Sequence, residues 1–412
     1  MRVLVVGHGG REHAIARKLA EDDVELHAAM SRMNPGIAGL ARRVEIIDIT
    51  EPESFDRFEG VDIAFIGPEA PLAAGVADRL NELGVAVVGP GRALARLEWS
   101  KAFTRRFLQE RGIGGNPEFS ICRRLKDVRR FLREHPEVAV KPDVLTGGKG
   151  VRITGEHLHS MNDVEAYAAE RIRSDGLVVV EEKLVGREFT LQAFTDGDRV
   201  EVMPLVRDYK RAYDGDRGPN TGSMGSYSSP DHGLPDLPGR AVRRGVEIMR
   251  RTVRELTDAV GRYRGVLYGG FMETETGVYL LEYNVRFGDP EAMNVLTLLD
   301  GSLLDVGWEI VDGRLTKPTF QRKATICVYL VPEGYPTSPR KGVPLNIEPP
   351  VSSELYYASV HLEGGVIYTT TSRSIALLAK GETVGEARDK VYGDAPRIKG
   401  GLFYRKDIAS GV

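Results

Sequence analysis

The sequence predicts a multidomain α/β protein that opens on a Rossmann-like parallel sheet and closes on a small mixed α/β domain. Three observations predict it. The chain has 412 residues, too many for one hydrophobic core. Residues 1 to about 100 alternate short β-branched strands with amphipathic helical stretches. From about 320 the pattern changes to short strands and turns with Pro-rich connections such as 332–339.

Composition narrows the classes. Apolar residues at 42% and charged residues at 28% are those of a globular protein, and a net charge of −3 argues against general nucleic-acid or membrane binding. Two cysteines, Cys122 and Cys327, cannot build a disulfide framework or a zinc site, so a reducing cytoplasm is the expected compartment. The apolar run at 3–6 stops at glycines and reads as a buried strand, not a signal peptide, and no stretch reaches the length of a membrane span.

Taken in order, residues 2–6 form the first strand, Gly7-His8-Gly9-Gly10 the turn and 11–20 a helix, with further strands at 25–30, 44–47, 63–66 and 85–88. Ligands of such sheets sit at the carboxyl ends of the strands. GHGGREHA is therefore read as a phosphate cradle of backbone N–H groups at a helix start. Glu12 stands where a dinucleotide fingerprint needs its third glycine. GPEAPL at 67–72 faces the same crevice. His8 and His13 are assigned hydrogen-bonding roles and no catalysis.

Ser100 caps a helix that begins at Lys101 and runs to about 111, and 112–117 breaks the chain. The basic stretch 123–135 is a helix with a solvated face. A strand at 138–142 ends in Lys141 and is followed by LTGGKGV, a glycine flap able to close over phosphates with Lys141 and Lys149 as point charges. A surface hairpin is the alternative. At the end of strand 177–183, backbone groups of Glu182 and Leu184 suit an adenine edge, and Glu188 suits ribose hydroxyls. The Gly/Pro/Asp-rich run 208–225 has no hydrophobic periodicity, which in a compact enzyme means a binding loop or disorder, and its mixed Lys, Arg and Asp content favours binding. An amphipathic structural helix spans 238–261.

A hairpin follows over 265–284, turning at Glu275-Thr276-Gly277. Period-two alternation puts Glu282 and Asn284 on one face, two hard-oxygen ligands for Mg²⁺ or Mn²⁺ carrying a nucleotide phosphate. Arg286, Asp289 and Glu291 follow on a tight loop. Strands at 324–331, 355–362, 365–371 and 374–379 complete a closing domain with few reactive residues of its own.

These words together resemble the glycinamide ribonucleotide synthetase family of the ATP-grasp superfamily: GHGGREHA, GPEAPL, SKAF, KPDVLTGGKGV, DYKRAYDGDRGPNTGSMGSYS and EYNVRFGDPE. The resemblance implies a Rossmann-like domain over 1–100, a two-lobed ATP-grasp unit over 101–320 with its flap lobe at about 115–185, and a C-terminal domain over 321–412. It implies ATP contacts from Lys101, Lys141, Gly147, Gly148, Lys149, Gly150, Glu182, Leu184 and Glu188, and Mg²⁺ or Mn²⁺ on Glu282 and Asn284. The phosphate of 5-phosphoribosylamine would meet Gly9, Gly10 and Arg11. Glu69, Asp214, Asn220, Thr221, Arg286, Asp289 and Glu291 would surround glycine and the ribosyl amine, with Arg286 and Lys149 in catalysis. Departures are KPDVLTGGKG for KADG…GKG, GSMG for GGMG, Met293 where many members carry Gln, and Gly270 where some relatives place a polar residue near the metals.

The activity so implied is ATP-dependent joining of glycine to 5-phosphoribosylamine in purine synthesis, through glycyl phosphate, by a monomer or weak dimer that binds neither nucleic acid nor membrane. Another carboxylate–amine ligase or carboxylating enzyme of the superfamily, a nicotinamide-dependent dehydrogenase and a non-catalytic nucleotide sensor are the competing readings. RFGDPE and GPNTG favour the first; Glu12 and the lysine flap oppose the dehydrogenase.

Overall fold

A computed structural model of the chain describes residues 1–145 and 150–412. Strands β1 (Arg2–Val6), β2 (Glu25–Met30), β3 (Arg43–Ile46), β4 (Ile63–Ile66) and β5 (Ala86–Val88) form a parallel sheet in the order β3-β2-β1-β4-β5. Val3 to Val6 and Ile63 to Phe65 are buried, as strands covered on both faces must be. The order reverses between β1 and β4, so the loops after these two strands border the crevice. Helix α1 (Gly10–Leu19) leaves the first of them.

The next sheet is antiparallel: β6 (Phe119–Cys122), β7 (Val138–Pro142), β8 (Arg152–Ile153) and β9 (Val178–Glu182), in the order β6-β9-β7-β8. It has a core of its own, where Val138, Val140, Val178 and Val180 meet Val128, Phe131 and Leu132 of the helix Leu125–Glu134. The solvated face expected of that helix is the side opposite these three residues. A lobe with a separate core can move as a unit.

Strands β10 (Arg187–Thr195) and β11 (Val200–Val202) begin the third sheet. The chain then leaves it through β12 (Arg207–Asp208), β13 (Arg211–Tyr213), β14 (Arg217–Asn220) and β15 (Gly225–Ser228) and returns with β16 (Gly265–Glu273) and β17 (Val278–Asn284), in the order β11-β10-β16-β17. The predicted hairpin is β16–β17. Its register slips between Gly270, opposite Glu282, and Phe271, opposite Leu280, which leaves Leu281 as the extra residue of a bulge.

Two expectations are corrected here. Residues 208–225 are not an unstructured loop: β13 and β14 pair with each other. Arg405, buried at 1% exposure, clamps this hairpin by donating to Arg211 O (3.1 Å) and pairing with Asp216 (2.8 Å) and Asp407 (2.7 Å). The turn chemistry hid a hairpin whose order comes from residues nearly two hundred positions away. The C-terminal part shares its sheet with the middle of the chain. Its central strand Ala324–Pro332 pairs on one side with Ile375–Gly381 and on the other with β15, so β12 and β15 belong to the same sheet. The stretch predicted as one strand at 355–362 is two, Glu354–Tyr357 and Val360–Glu363, because Val360 N–H donates to Ala358 O and turns the chain.

Candidate active site

The site lies where the loops after β1 and β4, the start of helix Lys101–Glu110, the end of β7 and the loop after β17 converge. Its first component is a plug. Glu12 accepts from Gly9 N–H (2.6 Å) and pairs with Arg11 (2.6 Å). A Cβ on Gly67 would lie 2.2 Å from Glu12 Oε1 and one on Gly9 2.7 Å from Oε2. The glycines therefore make room for the chain's own carboxylate, which fills the crevice where a pyrophosphate would otherwise rest. This explains why Glu12 replaces the third glycine and weighs against nicotinamide binding. It also differs from the expected cradle: the Gly9 amide is committed to Glu12, and the Arg11 guanidinium to Glu12 and to Phe287 O (3.1 Å). Gly10 packs under Tyr329, whose hydroxyl would lie 2.5 Å from a Cβ there.

Arg286 is the second component. Its Nη2 pairs with Glu98 (2.9 Å) and donates to Asn284 Oδ1 (3.0 Å), while its Nε lies 3.4 Å from Glu69. Glu98 also accepts from Val285 N–H (2.8 Å), so one buried carboxylate fixes both the side chain of Arg286 and the backbone beside it. Burial raises the pKa of Glu98 against the pull of Arg286. For Glu69 burial acts in the same sense but is outweighed by Arg286 and Arg11, and its pKa falls.

The third component surrounds Glu282. Arg105 grips buried Glu181 through two hydrogen bonds (2.6 and 2.9 Å), and Lys141 pairs with the same carboxylate (2.7 Å). Both cations also donate to Leu281 O, Arg105 at 2.8 Å and Lys141 at 3.0 Å. The bulge frees that carbonyl from the ladder and the two cations satisfy it, which pins the strand one residue before Glu282. Lys141 spends two of its three N–H donors in this way and keeps one for a ligand. Glu282 itself opens to solvent; burial by the surrounding protein would raise its pKa, but Lys101, Lys141, Lys210 and Arg286 outweigh it and hold the carboxylate ionised. Lys210, at the start of the clamped hairpin, pairs with Glu188 (2.9 Å) and is held charged, mainly by Asp208. Among the described residues no three His, Cys, Asp or Glu side chains form a metal cage.

Other predicted residues fall as follows. Asp289 accepts from Tyr329 Oη–H (2.6 Å) and pairs with Arg373 (3.1 Å), two groups supplied by the C-terminal part. Glu291 accepts from Tyr268 (3.0 Å), and burial together with Asp208 pushes its pKa up to about 7. Ser100 caps its helix as predicted, and Asp143 adds a second cap on Ala102 N–H (2.8 Å) beside Lys101. Glu182 N–H already donates to Glu118 O (3.0 Å), which leaves its carbonyl for a base, and Leu184 follows half-buried. Gly150 O accepts from Tyr167 (2.6 Å). Asp214 caps Lys406 N–H (2.8 Å) at the far end of the hairpin, Asn220 sits exposed in β14, and Thr221 bonds Lys210 O (2.8 Å). Those three shape the hairpin rather than join the cluster at Arg286. Gly147, Gly148 and Lys149 lie outside the described residues.

Sequence reasoning missed Glu98, Arg105, Glu181, Lys210, Tyr329 and Arg373 as site residues. Glu98 had one signal, its place two residues before the Ser100 cap; the others have partners that only the fold reveals.

Known proteins match the chain along its whole length. Family models described as the N domain, the ATP-grasp (A) domain and the C domain of phosphoribosylglycinamide synthetase match residues 1–98, 99–292 and 325–411. The chain is 47% identical to a phosphoribosylamine–glycine ligase of Methanoregula boonei, covering 100% of this chain and 97% of that one. It is 44% identical to one of Methanothermobacter thermautotrophicus, covering 100% and 96%. The crystal structure of the Thermotoga maritima phosphoribosylamine–glycine ligase superposes with a TM-score of 0.86 at 31% identity, covering 99% of this chain and 100% of that one. A biotin carboxylase domain from Hydrogenobacter thermophilus, at 16% identity and a TM-score of 0.74 over 98% of this chain and 91% of that one, shares the fold. Matched by all three domain models and by relatives along its whole length, the chain belongs to the phosphoribosylglycinamide synthetase family, whose central domain is an ATP-grasp unit.

Proposed function

We propose that the chain is a phosphoribosylamine–glycine ligase, joining glycine to 5-phosphoribosylamine with hydrolysis of ATP to ADP and phosphate. The observation that carries this reading is the ring of Lys101, Lys141, Lys210 and Arg286 around an ionised, solvent-open Glu282. Lys141, Lys210 and Arg286 each pair with a further carboxylate, whereas Lys101 and Glu282 have no ion-pair partner among the described residues, which leaves the lysine for a phosphate and the carboxylate for the metal that accompanies it.

Glu282 and Asn284 fit Mg²⁺ or Mn²⁺: Glu282 has no hydrogen-bond partner among the described residues, and the Asn284 oxygen keeps a lone pair beyond the one Arg286 uses. A bound metal would neutralise phosphate charge and polarise the γ-phosphoryl group. The chain's residues do the rest. Arg286, held by Glu98 and Glu69, orients the glycine carboxylate toward the γ-phosphorus. A carboxylate oxygen attacks there and ADP leaves, giving glycyl phosphate; the amine of 5-phosphoribosylamine then attacks the acyl carbon, loses a proton and expels phosphate. No protein nucleophile is needed. Lys141 and Lys101 hold the transferring charge. The buried free thiols Cys122 and Cys327 suit a reducing cytoplasm.

The test is glycine-dependent release of ADP and phosphate, with and without phosphoribosylamine, alongside detection of glycinamide ribonucleotide. We expect product only with all three substrates, and loss of at least about 100-fold in turnover for Glu282→Ala. Turnover with another carboxylate in place of glycine, or none with glycine, refutes the assignment.

A further inference from the structure

We infer that His8, Ser31, Arg32, Ser359 and Thr370 form an anion site between the first sheet and the C-terminal strands, and that it takes the phosphate monoester end of the sugar-amine substrate. The inference rests on the function proposed above and assigns a subsite that the Gly9 amide, spent on Glu12, does not supply.

The buried arginines Arg11, Arg105 and Arg405 and the half-buried Arg286 and Arg373 each have a carboxylate partner. Arg32, half-buried, pairs with none among the described residues; its Nη2 donates to Ser359 Oγ (3.0 Å) and His8 Nε2 (3.3 Å), and its buried Nε has no partner. Burial lowers its pKa with no acid acting against it. A partly desolvated guanidinium without a counter-ion lacks an anion.

The neighbours are donors too. An arginine only donates, so His8 Nε2 accepts, and burial favours the neutral ring. His8 Nδ1 therefore carries the hydrogen and donates to Ser31 Oγ (3.0 Å), which leaves the Ser31 hydroxyl proton unspent. Thr370 Oγ1 approaches Ser359 Oγ at 2.8 Å and Ser359 O at 2.7 Å, and Ser359 Oγ already accepts from Arg32, so its proton is also available. What remains uncommitted is a set of hydrogen-bond donors, and a phosphate monoester brings three acceptor oxygens and nearly two negative charges at neutral pH.

The cluster is built and placed. Buried Asn34 donates to His8 O (2.9 Å) and Tyr357 O (2.8 Å), fixing the loop after β1 against the strand that ends just before Ser359. A continuous chain of contacts then leads to the reacting centre: Gly9 to Glu12, Glu12 to Arg11, Arg11 to Glu69 (4.0 Å) and Glu69 to Arg286. A sugar phosphate anchored at Arg32 presents its amine toward that end.

The test uses the full-length protein without nucleotide and three probes, ribose 5-phosphate, ribose and inorganic phosphate, by calorimetry, together with KM for each substrate. Arg32→Ala should weaken ribose 5-phosphate binding and raise KM for phosphoribosylamine by about 10- to 100-fold, the value of one or two charge-assisted hydrogen bonds, with KM for ATP and glycine unchanged. Arg32→Lys should keep part of the affinity. Ser359→Ala, which leaves the arginine in place, should cost about 3- to 10-fold and carries the test should Arg32→Ala misfold. Unchanged ribose 5-phosphate affinity in Arg32→Ala, an equal rise in all three KM values, or inorganic phosphate binding as tightly as ribose 5-phosphate overturns the inference. Failure of the wild-type chain to make glycinamide ribonucleotide sinks the proposed function instead, and is read separately from probe binding.

Discussion

At the scale of single residues, the site is governed by which charges lack or share partners. Glu98 is a positioning residue: Glu98→Gln keeps the bond from Val285 N–H but drops the charge facing Arg286, and KM for glycine is expected to rise about 10-fold with KM for ATP unchanged. Steady-state kinetics with each substrate varied checks it. Glu291 makes a pH prediction. Its folded pKa, raised to about 7, exceeds the unfolded value near 4.5, so the folded state holds the proton more tightly and loses stability as pH rises between those values, levelling off above. Glu291→Gln should match wild type near pH 5 and exceed it at pH 8 by up to about 3 kcal/mol, measured by denaturant unfolding at both pH values. Glu282, Lys101 and Lys141 were legible because they end strands or begin helices inside recognisable words. Glu98 and Glu181 were not: each sits in an ordinary periodic element, and its partner lies 76 or more positions away.

At the scale of elements, the hairpins differ in how they are held. β16–β17 was readable from alternation and its turn, but the bulge at Leu281 was not, because period two carries no information about a slip that two distant cations stabilise. The β13–β14 hairpin owes its order to the C-terminal clamp. Arg405→Ala is expected to leave overall unfolding cooperative, lower stability by about 2 kcal/mol and speed amide exchange over 209–222, with weaker binding of the substrates that Lys210 faces. Hydrogen-exchange mass spectrometry reads the local effect; unchanged exchange in that segment would show that the hairpin holds itself.

At the scale of the whole molecule, the parallel sheet followed from patterning, with strand ends that differ from expectation by a residue or two, whereas the flap lobe was implied only by the family resemblance. The sheet shared by the middle and the end of the chain did not follow, since β12 and β15 are too short to announce a partner a hundred residues on. A chain stopped after residue 320 leaves Tyr227 and its neighbours on β15 without their covering strand, and we expect it to show no cooperative thermal transition, whereas a chain shortened only by its last two residues should melt like the full one. That shared strand also sets a timetable. As the polypeptide emerges from a ribosome, β15 has no mate until Ala324–Pro332 follows it out, so the cleft matures late in synthesis and a prematurely terminated message yields no half-working product.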